Sequence, residues 1–281
     1  MNPSISSPTS EPWSAFASGW SRLGPPLRPG MEDMERFHRG WRDSLPEGLP
    51  ERRLDVLSLG VTPEIALHPW APETFLTAID ASEEMIRNVW PGDTAERRAM
   101  QGDWLAMPFA DASFDLIVND AGLLLVAGAA KLRAAAEELR RVLRPGGRAV
   151  LRHFARVSPA ESLQAIGEAV EQRKLGNFNE LKLRLLMAIE AEKAGAGVRL
   201  AEAYECFQQL FPDRAQLAGQ LGCDPQTVAT IDAYRGREAR YTFHSLEEMA
   251  QAFEGFSLTL GPAGHYSSAE RCPVLVFTPQ S

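Results

Sequence analysis

Short apolar runs alternate with helical patterns through the middle of the chain. Five such runs have the length of buried strands, and they are residues 54–60, 75–80, 99–101, 114–118 and 148–154. Between the last two, Leu132, Ala136, Leu139 and Leu143 recur at i, i+4, i+7 and i+11 and predict an amphipathic helix over 129–143. Strands that alternate with helices indicate a parallel sheet that is covered on both faces.

Two further helix starts are predicted by local chemistry. Thr62 precedes Pro63 and Glu64, which is the pattern of a capping residue, a proline at the first helical position and an acid in the first turn. Ser82 precedes a second acidic first turn, and Pro91-Gly92 ends that helix. Each start comes directly after a predicted strand.

The C-terminal half changes character. Residues 158–240 have a helical pattern throughout, and the strand pattern returns only at 256–260 and 273–277. We therefore predict an α/β fold: a Rossmann-like, mostly parallel sheet with helices on both faces and a helical insertion before the last strands. The predicted units are a disordered tail at 1–12, an aromatic helical and loop cover at 13–52, a core at 53–157, an insertion that forms a lid at 158–240, and final strands at 241–281.

Composition narrows the class of protein. The 281 residues carry a formal charge of -8, which disfavours nucleic acid as a partner. The three cysteines, Cys206, Cys223 and Cys272, form no C-x-x-C pair, so we expect neither a metal site nor a disulfide framework. No apolar run approaches the ~20 residues that cross a bilayer, and the Ser/Pro-rich start does not have the pattern of a secretory signal. We expect a cytoplasmic protein that does not bind membranes.

Chemistry-bearing residues follow the predicted strands. Gly60 ends the first strand and Asp80 ends the second. Asp103 and Trp104 follow the third, and the run Asn119-Asp120-Ala121 ends the fourth. Because ligands of open α/β sheets bind beyond the carboxyl ends of the strands, these residues are expected to share one cleft.

Together and in this order, these segments resemble the class I S-adenosylmethionine-dependent methyltransferases. The stretch from Met100 to Ile117 and the Leu-Arg-Pro-Gly-Gly turn at 143–147 are the most specific parts, and the resemblance covers about 53–154. It implies S-adenosylmethionine as the cofactor, with the loop after Gly60 at the methionine moiety, Asp80 at the ribose and Asp103 with the Trp104 backbone at the adenine. The cofactor-binding residues implied in this way are Gly60, Val61, Thr62, Glu64, Asp80, Ala81, Met85, Asp103, Trp104, Asn119, Asp120 and Ala121.

The first loop departs from the family pattern. Ser58 stands where the family has an acid, and Val61-Thr62-Pro63-Glu64 replaces further glycines. Glu64 also adds a negative charge near the expected ligand carboxylate. Two interpretations stay open: either the Thr62 hydroxyl and its cap support a differently shaped working loop, or the pocket is damaged.

The acceptor side is less specific. Candidate bases are His153, Asp120 and Tyr241, with His244 as a further one, although each also fits a purely structural role. Asn179, Tyr204, Tyr234 and Arg235 of the insertion are the predicted substrate-binding residues. Lys182, Arg184 and Lys193 are interpreted as a solvated helix face.

Three functions are compatible with this sequence. The first is methyl transfer from S-adenosylmethionine to a small-molecule nucleophile by a monomer or homodimer. The second uses the same cofactor for intramolecular cyclisation, which releases methylthioadenosine. The third is a methyltransferase-like binding protein without catalysis.

Overall fold

The computed structural model describes residues 19–42, 54–193 and 195–280. The predicted tail at 1–12, and residues 13–18 and 43–52 of the predicted cover, lie outside these ranges. The strands of the described residues are β1 (Asp55–Leu59), β2 (Phe75–Asp80), β3 (Arg97–Gln101), β4 (Phe114–Asp120), β5 (Leu143–Arg152), β6 (Val198–Arg199), β7 (Arg240–Tyr241), β8 (Phe256–Leu260) and β9 (Val274–Pro279).

Seven of these strands form one sheet in the order β3-β2-β1-β4-β5-β9-β8. Strands β1 to β5 pair in parallel, while β9 runs antiparallel to β5 and β8 antiparallel to β9. The strand order reverses between β1 and β4, so a crevice opens there at the carboxyl ends of these two strands. The predicted Rossmann-like, mostly parallel sheet is confirmed.

Helices surround this sheet and build the insertion. The helices of the described residues are α1 (Met31–Arg42), α2 (Pro63–Ala66), α3 (Glu83–Val89), α4 (Ala129–Val142), α5 (Leu163–Glu171), α6 (Phe178–Ala191), α7 (Leu200–Leu210), α8 (Arg214–Leu221), α9 (Pro225–Ala229) and α10 (Leu246–Ala252). Short 3₁₀ helices lie at Trp20–Arg22, Gly122–Leu125, Thr230–Tyr234 and Ala269–Arg271.

Alternating side chains of each strand supply two apolar layers. Val56 packs in one buried cluster with Phe37 of α1, and Leu57 packs in another with Leu132 and Leu139 of α4. Helix α1 lies so close to the sheet that a Cβ at Gly40 would be 3.0 Å from Val150 Cγ1. The sheet is therefore covered on both faces, with α1 as part of the cover.

Two sequence predictions about element bounds were wrong. Strand β5 begins at Leu143, so the Leu-Arg-Pro-Gly-Gly segment forms an irregular start of the strand, where the register to β4 shifts between Phe114 and Leu116. The insertion is not helical throughout, because Val198 and Arg199 pair with Tyr241 and Arg240 in a short antiparallel ladder. A two-residue strand carries too little alternation to be found in a sequence.

The insertion has its own apolar core, which is continuous with the edge of the sheet. Phe178, Leu185 and Phe207 are buried in one cluster with Ala121 and Phe154, which follow β4 and β5. The insertion therefore lies against the carboxyl-end edge of the sheet. Among the described residues, no helix is long and apolar enough to span a bilayer.

Candidate active site

A cavity of about 530 Å³ lies between the carboxyl ends of β1, β2 and β4, the insertion, and the segment before α1. Residues that follow the strands form one wall: Gly60, Val61, Thr62, Asp80, Met85, Trp104, Asp120, Ala121 and Gly122. The insertion and its β7 ladder form the opposite wall: Lys182, Gln226, Ala229, Thr230, Asp232, Ala233, Tyr234 and Tyr241. The sequence prediction of a shared cleft for Gly60, Asp80 and Asp120 agrees with this arrangement.

Gly60 forms the turn at the end of β1. Its φ of +93° is open to glycine but costly for other residues. A Cβ there would lie 3.9 Å from both Asp80 Oδ2 and Trp104 Cζ2, so the missing side chain leaves the gap between these two groups open. The Ser58 hydroxyl donates a hydrogen bond to the Gly60 carbonyl at 2.9 Å and so stabilises this turn. Ser58 is the residue that stands where the family pattern has an acid.

Asp80 is a largely buried carboxylate at the end of β2. The Ser82 backbone N–H donates to its Oδ1 at 2.8 Å, and the Ser82 hydroxyl in turn caps α3 by accepting from Met85 N. Burial raises the pKa of Asp80 to about 6, although the Ser82 hydrogen bond opposes the shift. A ligand diol that donates hydrogen bonds to this carboxylate would favour its ionised form.

Trp104 forms a flat wall of the cavity, in an orientation set by a hydrogen bond from its Nε1 to the Ile79 carbonyl at 2.8 Å. The structure does not bring Asp103 to the cavity. Its Oδ1 accepts from Leu105 N at 2.9 Å, so it closes its own turn. Ala81 also lies outside the cavity wall and is exposed.

Asn119 organises the end of β4 from below the cavity surface. Its Nδ2 donates to the Leu59 carbonyl at 2.7 Å, and its Oδ1 accepts from Gly122 N at 2.9 Å. These bonds tie β1 to the turn at Ala121, which has a positive φ of 55°. A Cβ at Gly122 would lie 2.7 Å from Trp104 Cη2, so the turn also requires glycine there. Asn119 therefore acts by positioning its neighbours, which do line the cavity.

The negative charge of Glu64 is balanced within the protein. Arg28 forms an ion pair with Glu64, and its guanidinium lies 5.2 Å from the centre of the Trp20 ring. Glu64 does not itself line the cavity. The predicted capping role of the Thr62 hydroxyl was wrong, because the Thr62 side chain makes no capping hydrogen bond to α2. Pro63 already removes one of the N–H groups that a cap would satisfy.

Asp120 belongs to a buried network of charges. Arg152 donates from Nε to Asp120 and from Nη1 to the Pro26 carbonyl, and it also contacts Asp33 of α1 at 3.4 Å. Burial raises the pKa of Asp120, and the Arg152 guanidinium opposes that shift. The network therefore joins α1, β4 and β5 directly behind the cavity.

Lys182 was wrongly interpreted as part of a solvated face. Its side chain is 1% exposed and lines the cavity, with Nζ donating to Thr230 Oγ1 at 3.0 Å. The other two cations of that prediction pair with acids: Arg184 with Glu161 and Glu180, and Lys193 with Glu202. Helix α6 is buried on nearly all sides, so its sequence has no separate polar and apolar faces. The position of Lys182 could therefore not be predicted from the pattern of polar residues.

Two of the predicted bases do not lie at the cavity. His153 Nε2 contacts the His244 carbonyl at 2.8 Å, and burial lowers the pKa of His153 to about 4. His244 Nε2 contacts the Val126 carbonyl at 2.9 Å. Both rings satisfy backbone groups, whereas the other two candidates, Asp120 and Tyr241, line the cavity.

Of the four predicted substrate-binding residues, only Tyr234 lines the cavity. Asn179 is buried beside Gly24, and the Tyr204 hydroxyl accepts from Arg235 Nε at 3.0 Å on the outer side of the insertion. Arg235 is 65% exposed. Their positions within the helices could not be read from the sequence, because the inward side depends on how the helices pack.

The sequence also missed a third wall. Trp20, Leu23 and Leu27 line the cavity from the segment before α1. The indole Nε1 of Trp20 is buried and makes no hydrogen bond to the described residues. The aromatic composition of this segment was the only available signal, and it was interpreted as cover for the core.

The residues present fit an adenosyl ligand. The gap at Gly60 lies between a carboxylate suited to a diol and the flat ring of Trp104, and Trp20 adds an unpaired donor. No group of three or more His, Cys, Asp or Glu side chains that could hold a metal occurs in the described part of the chain. The described residues thus form a Rossmann-like fold with a cavity at its switch point, and the wall of this cavity carries groups suited to a nucleoside.

Part of the chain matches a known domain family. Residues 57–151 match the model of a family described as "Methyltransferase domain". The chain is 36% identical over 138 residues to a ubiquinone/menaquinone biosynthesis C-methyltransferase of Paracoccus denitrificans. This alignment covers 45% of this chain and 53% of that protein. The chain is also 29% identical over 228 residues to a malonyl-[acyl-carrier protein] O-methyltransferase of Enterobacter lignolyticus. This alignment covers 80% of this chain and 83% of that protein.

Two solved structures share the fold over most of the chain. A Rhodobacter sphaeroides protein described as a zinc-dependent alcohol dehydrogenase aligns with a TM-score of 0.54 and 15% identity over 95% of this chain and 98% of its own. The CurJ carbon methyltransferase aligns with a TM-score of 0.51 and 14% identity over 91% of this chain and 57% of its own. At these identities the likeness concerns the fold alone.

The family match over residues 57–151 and the mostly parallel sheet agree with the resemblance of this part of the chain to the class I S-adenosylmethionine-dependent methyltransferases. S-adenosylmethionine is the cofactor of that class. The chain spans about half the length of the Paracoccus relative.

Proposed function

We propose that this protein transfers the methyl group of S-adenosylmethionine to a small-molecule nucleophile. The observation that carries the proposal is the cavity in which Gly60, Asp80 and Trp104 face the helical insertion. The two relatives are named as a C-methyltransferase and an O-methyltransferase, so carbon and oxygen are the acceptor atoms we favour.

In this proposal the cofactor supplies a methyl group that is already activated by a sulfonium. The protein therefore has to hold, orient and enclose the reactants. Asp80 would bind the ribose hydroxyls, the Trp104 ring would cover the adenine, and the turn at Ala121 would support the reactive end. Leu124 after β4, Tyr234 of the insertion and Tyr241 of β7 would exclude water from the acceptor side.

The size and lining of the cavity support a small molecule as substrate. Its inner walls are mainly apolar, with contributions from Leu27, Leu125 and Phe154. The net charge of -8 argues against nucleic acid as a substrate. We retain a monomer or homodimer and a cytoplasmic location as further parts of the proposal.

Mass spectrometry of the adenosyl by-product tests the reaction. Purified protein, S-adenosylmethionine and a panel of quinol, phenol and carboxylic acid acceptors should yield S-adenosylhomocysteine together with an acceptor heavier by one methylene. Formation of methylthioadenosine instead would establish the intramolecular cyclisation. Tight binding of S-adenosylhomocysteine with no turnover of any acceptor would support a binding protein.

A further inference from the structure

Lys182 stands apart from the other described cations of the insertion because it is buried and no acid neutralises it. The described residues provide no ion-pair partner for its Nζ, and its hydrogen bond goes to a neutral hydroxyl, that of Thr230. The Thr230 hydroxyl donates its own proton to the Thr227 carbonyl at 2.7 Å, so its oxygen is oriented toward the lysine. The ammonium is held at a defined point in the wall of the cavity.

Burial without a counter-charge is unfavourable for a lysine. It lowers the pKa of Lys182 to about 7, so near neutral pH the group is ready to gain a proton when an anion arrives. The Phe178 ring, 5.3 Å from Nζ, is the other cation-stabilising group nearby. A buried lysine without a counter-charge destabilises a protein core, but in a cavity wall it can bind an anionic ligand.

The other charged groups of the cavity are already engaged or lie at its rim. Asp120 pairs with Arg152, and Asp232 pairs with Arg214 and Arg235. Asp80 accepts from Ser82 and belongs to the nucleoside side, and Arg22 is exposed. The remaining titratable cavity residues are Tyr234 and Tyr241, whose pKa values burial raises, so both stay neutral.

We propose that the insertion side of the cavity is an acceptor subsite for a small molecule with an acidic oxygen, a carboxylate or an acidic hydroxyl, and that Lys182 binds this oxygen. The inference rests on the proposed methyl transfer and names the class of acceptor. Lys182, held by Thr230, supplies the positive charge, and Leu124, Phe154 and Ala229 supply apolar contacts for the rest of the acceptor.

Calorimetric titration of the protein saturated with S-adenosylhomocysteine tests this assignment. Benzoate and hexanoate are compared with the neutral isosteres benzamide and hexanamide at pH 6.5. We expect each acid to bind at least tenfold more tightly than its amide. Lys182→Met should abolish this preference and leave amide binding unchanged, whereas the exposed control Lys174→Met should retain it.

Proton uptake provides a second readout. At pH 8, titrations in buffers of different ionisation enthalpy should show net proton uptake when benzoate binds, because the ligand raises the pKa of a lysine whose pKa burial has lowered. Lys182→Met should show none. Equal affinities for acid and amide, or a preference that disappears in Arg22→Gln but survives in Lys182→Met, would overturn the proposal. Absence of S-adenosylhomocysteine binding to the unmodified protein would instead refute the proposed function.

Discussion

Asp80 illustrates how much a single strand-end residue determines. Its place at the end of β2 could be predicted from the apolar run before it, and so could the role of Ser82 as the cap of α3. The extent of its burial could not be predicted, because the residues that cover it come from other segments of the chain. Because burial raises the pKa of Asp80, ligand binding to this residue should depend on pH in a measurable range.

Binding of S-adenosylhomocysteine should weaken as the pH falls through the pKa of Asp80, which is about 6. Ribose hydroxyls bind the ionised carboxylate, so affinity is full above this pKa and falls by about tenfold at pH 5. The Asp80→Asn variant should bind S-adenosylhomocysteine weakly at both pH 5 and pH 7.5, and its affinity should not show the tenfold change between high and low pH. An unchanged pH profile in this variant would assign the titration to another group.

Gly60→Ala tests the turn at the end of β1. The positive φ should cost about 1 kcal/mol of stability, and the new Cβ enters the gap between Asp80 and Trp104, so S-adenosylhomocysteine affinity should fall at least tenfold. Gly219→Ala is the matched control, because Gly219 lies in helix α8 with no atom near its would-be Cβ. That change should raise the unfolding temperature and leave affinity unaltered. Unaltered affinity in Gly60→Ala would place the ligand elsewhere.

At the scale of elements, the altered loop after β1 is compensated by a segment outside the matched domain. The sequence shows that Glu64 replaces the usual glycines but not that Arg28 pairs with it, since contacts between distant segments leave no local pattern. The ion pair explains how an acidic residue is tolerated beside the expected methionine carboxylate. It favours the interpretation of a working loop over that of a damaged pocket.

A double-mutant cycle tests this compensation. Arg28→Ala should weaken S-adenosylhomocysteine binding several-fold at low salt, because the uncompensated Glu64 repels the ligand carboxylate. Glu64→Gln in the same background should restore affinity to within about twofold, since the repulsion is gone. Equal losses with and without Glu64→Gln would mean that Arg28 contacts the ligand itself.

Strands and helices of the core were largely predictable, whereas the insertion walls were not. The strand bounds at 75–80 and the helix at 129–142 follow from short apolar runs and a clear apolar stripe. Lys182 and Tyr204 instead lie on helices whose inward side is set by tertiary packing. The sequence therefore identified Gly60, Asp80 and Trp104 as residues that share one cleft, but it misplaced most of the predicted substrate-binding residues.

At the scale of the molecule, the buried charge network holds the N-terminal cover on the sheet. Arg152 of β5 contacts Asp120 of β4 and Asp33 of α1, and the Tyr266 hydroxyl donates to Asp33 at 2.7 Å. Four separate parts of the chain thus meet behind the cavity. The sequence shows no sign of this, since the residues are far apart along it.

Removal of the central cation should be costly. Arg152→Met leaves the buried Asp120 without its ion-pair partner, while Asp33 keeps Arg36. We expect a loss of about 3 kcal/mol or more in the free energy of unfolding by urea. Arg87→Met, which breaks the exposed pair with Glu83, should change it by less than about 0.5 kcal/mol. Equal stability of the two variants would show that the network does not stabilise the fold.

A crystal structure with S-adenosylhomocysteine tests the central claim most directly. The account predicts that the adenosine moiety lies in the cavity, with the ribose hydroxyls within hydrogen-bond distance of Asp80, the base against the Trp104 ring and the sulfur toward the insertion. A ligand bound outside this cavity, or inside it with no contact to Asp80, would contradict it.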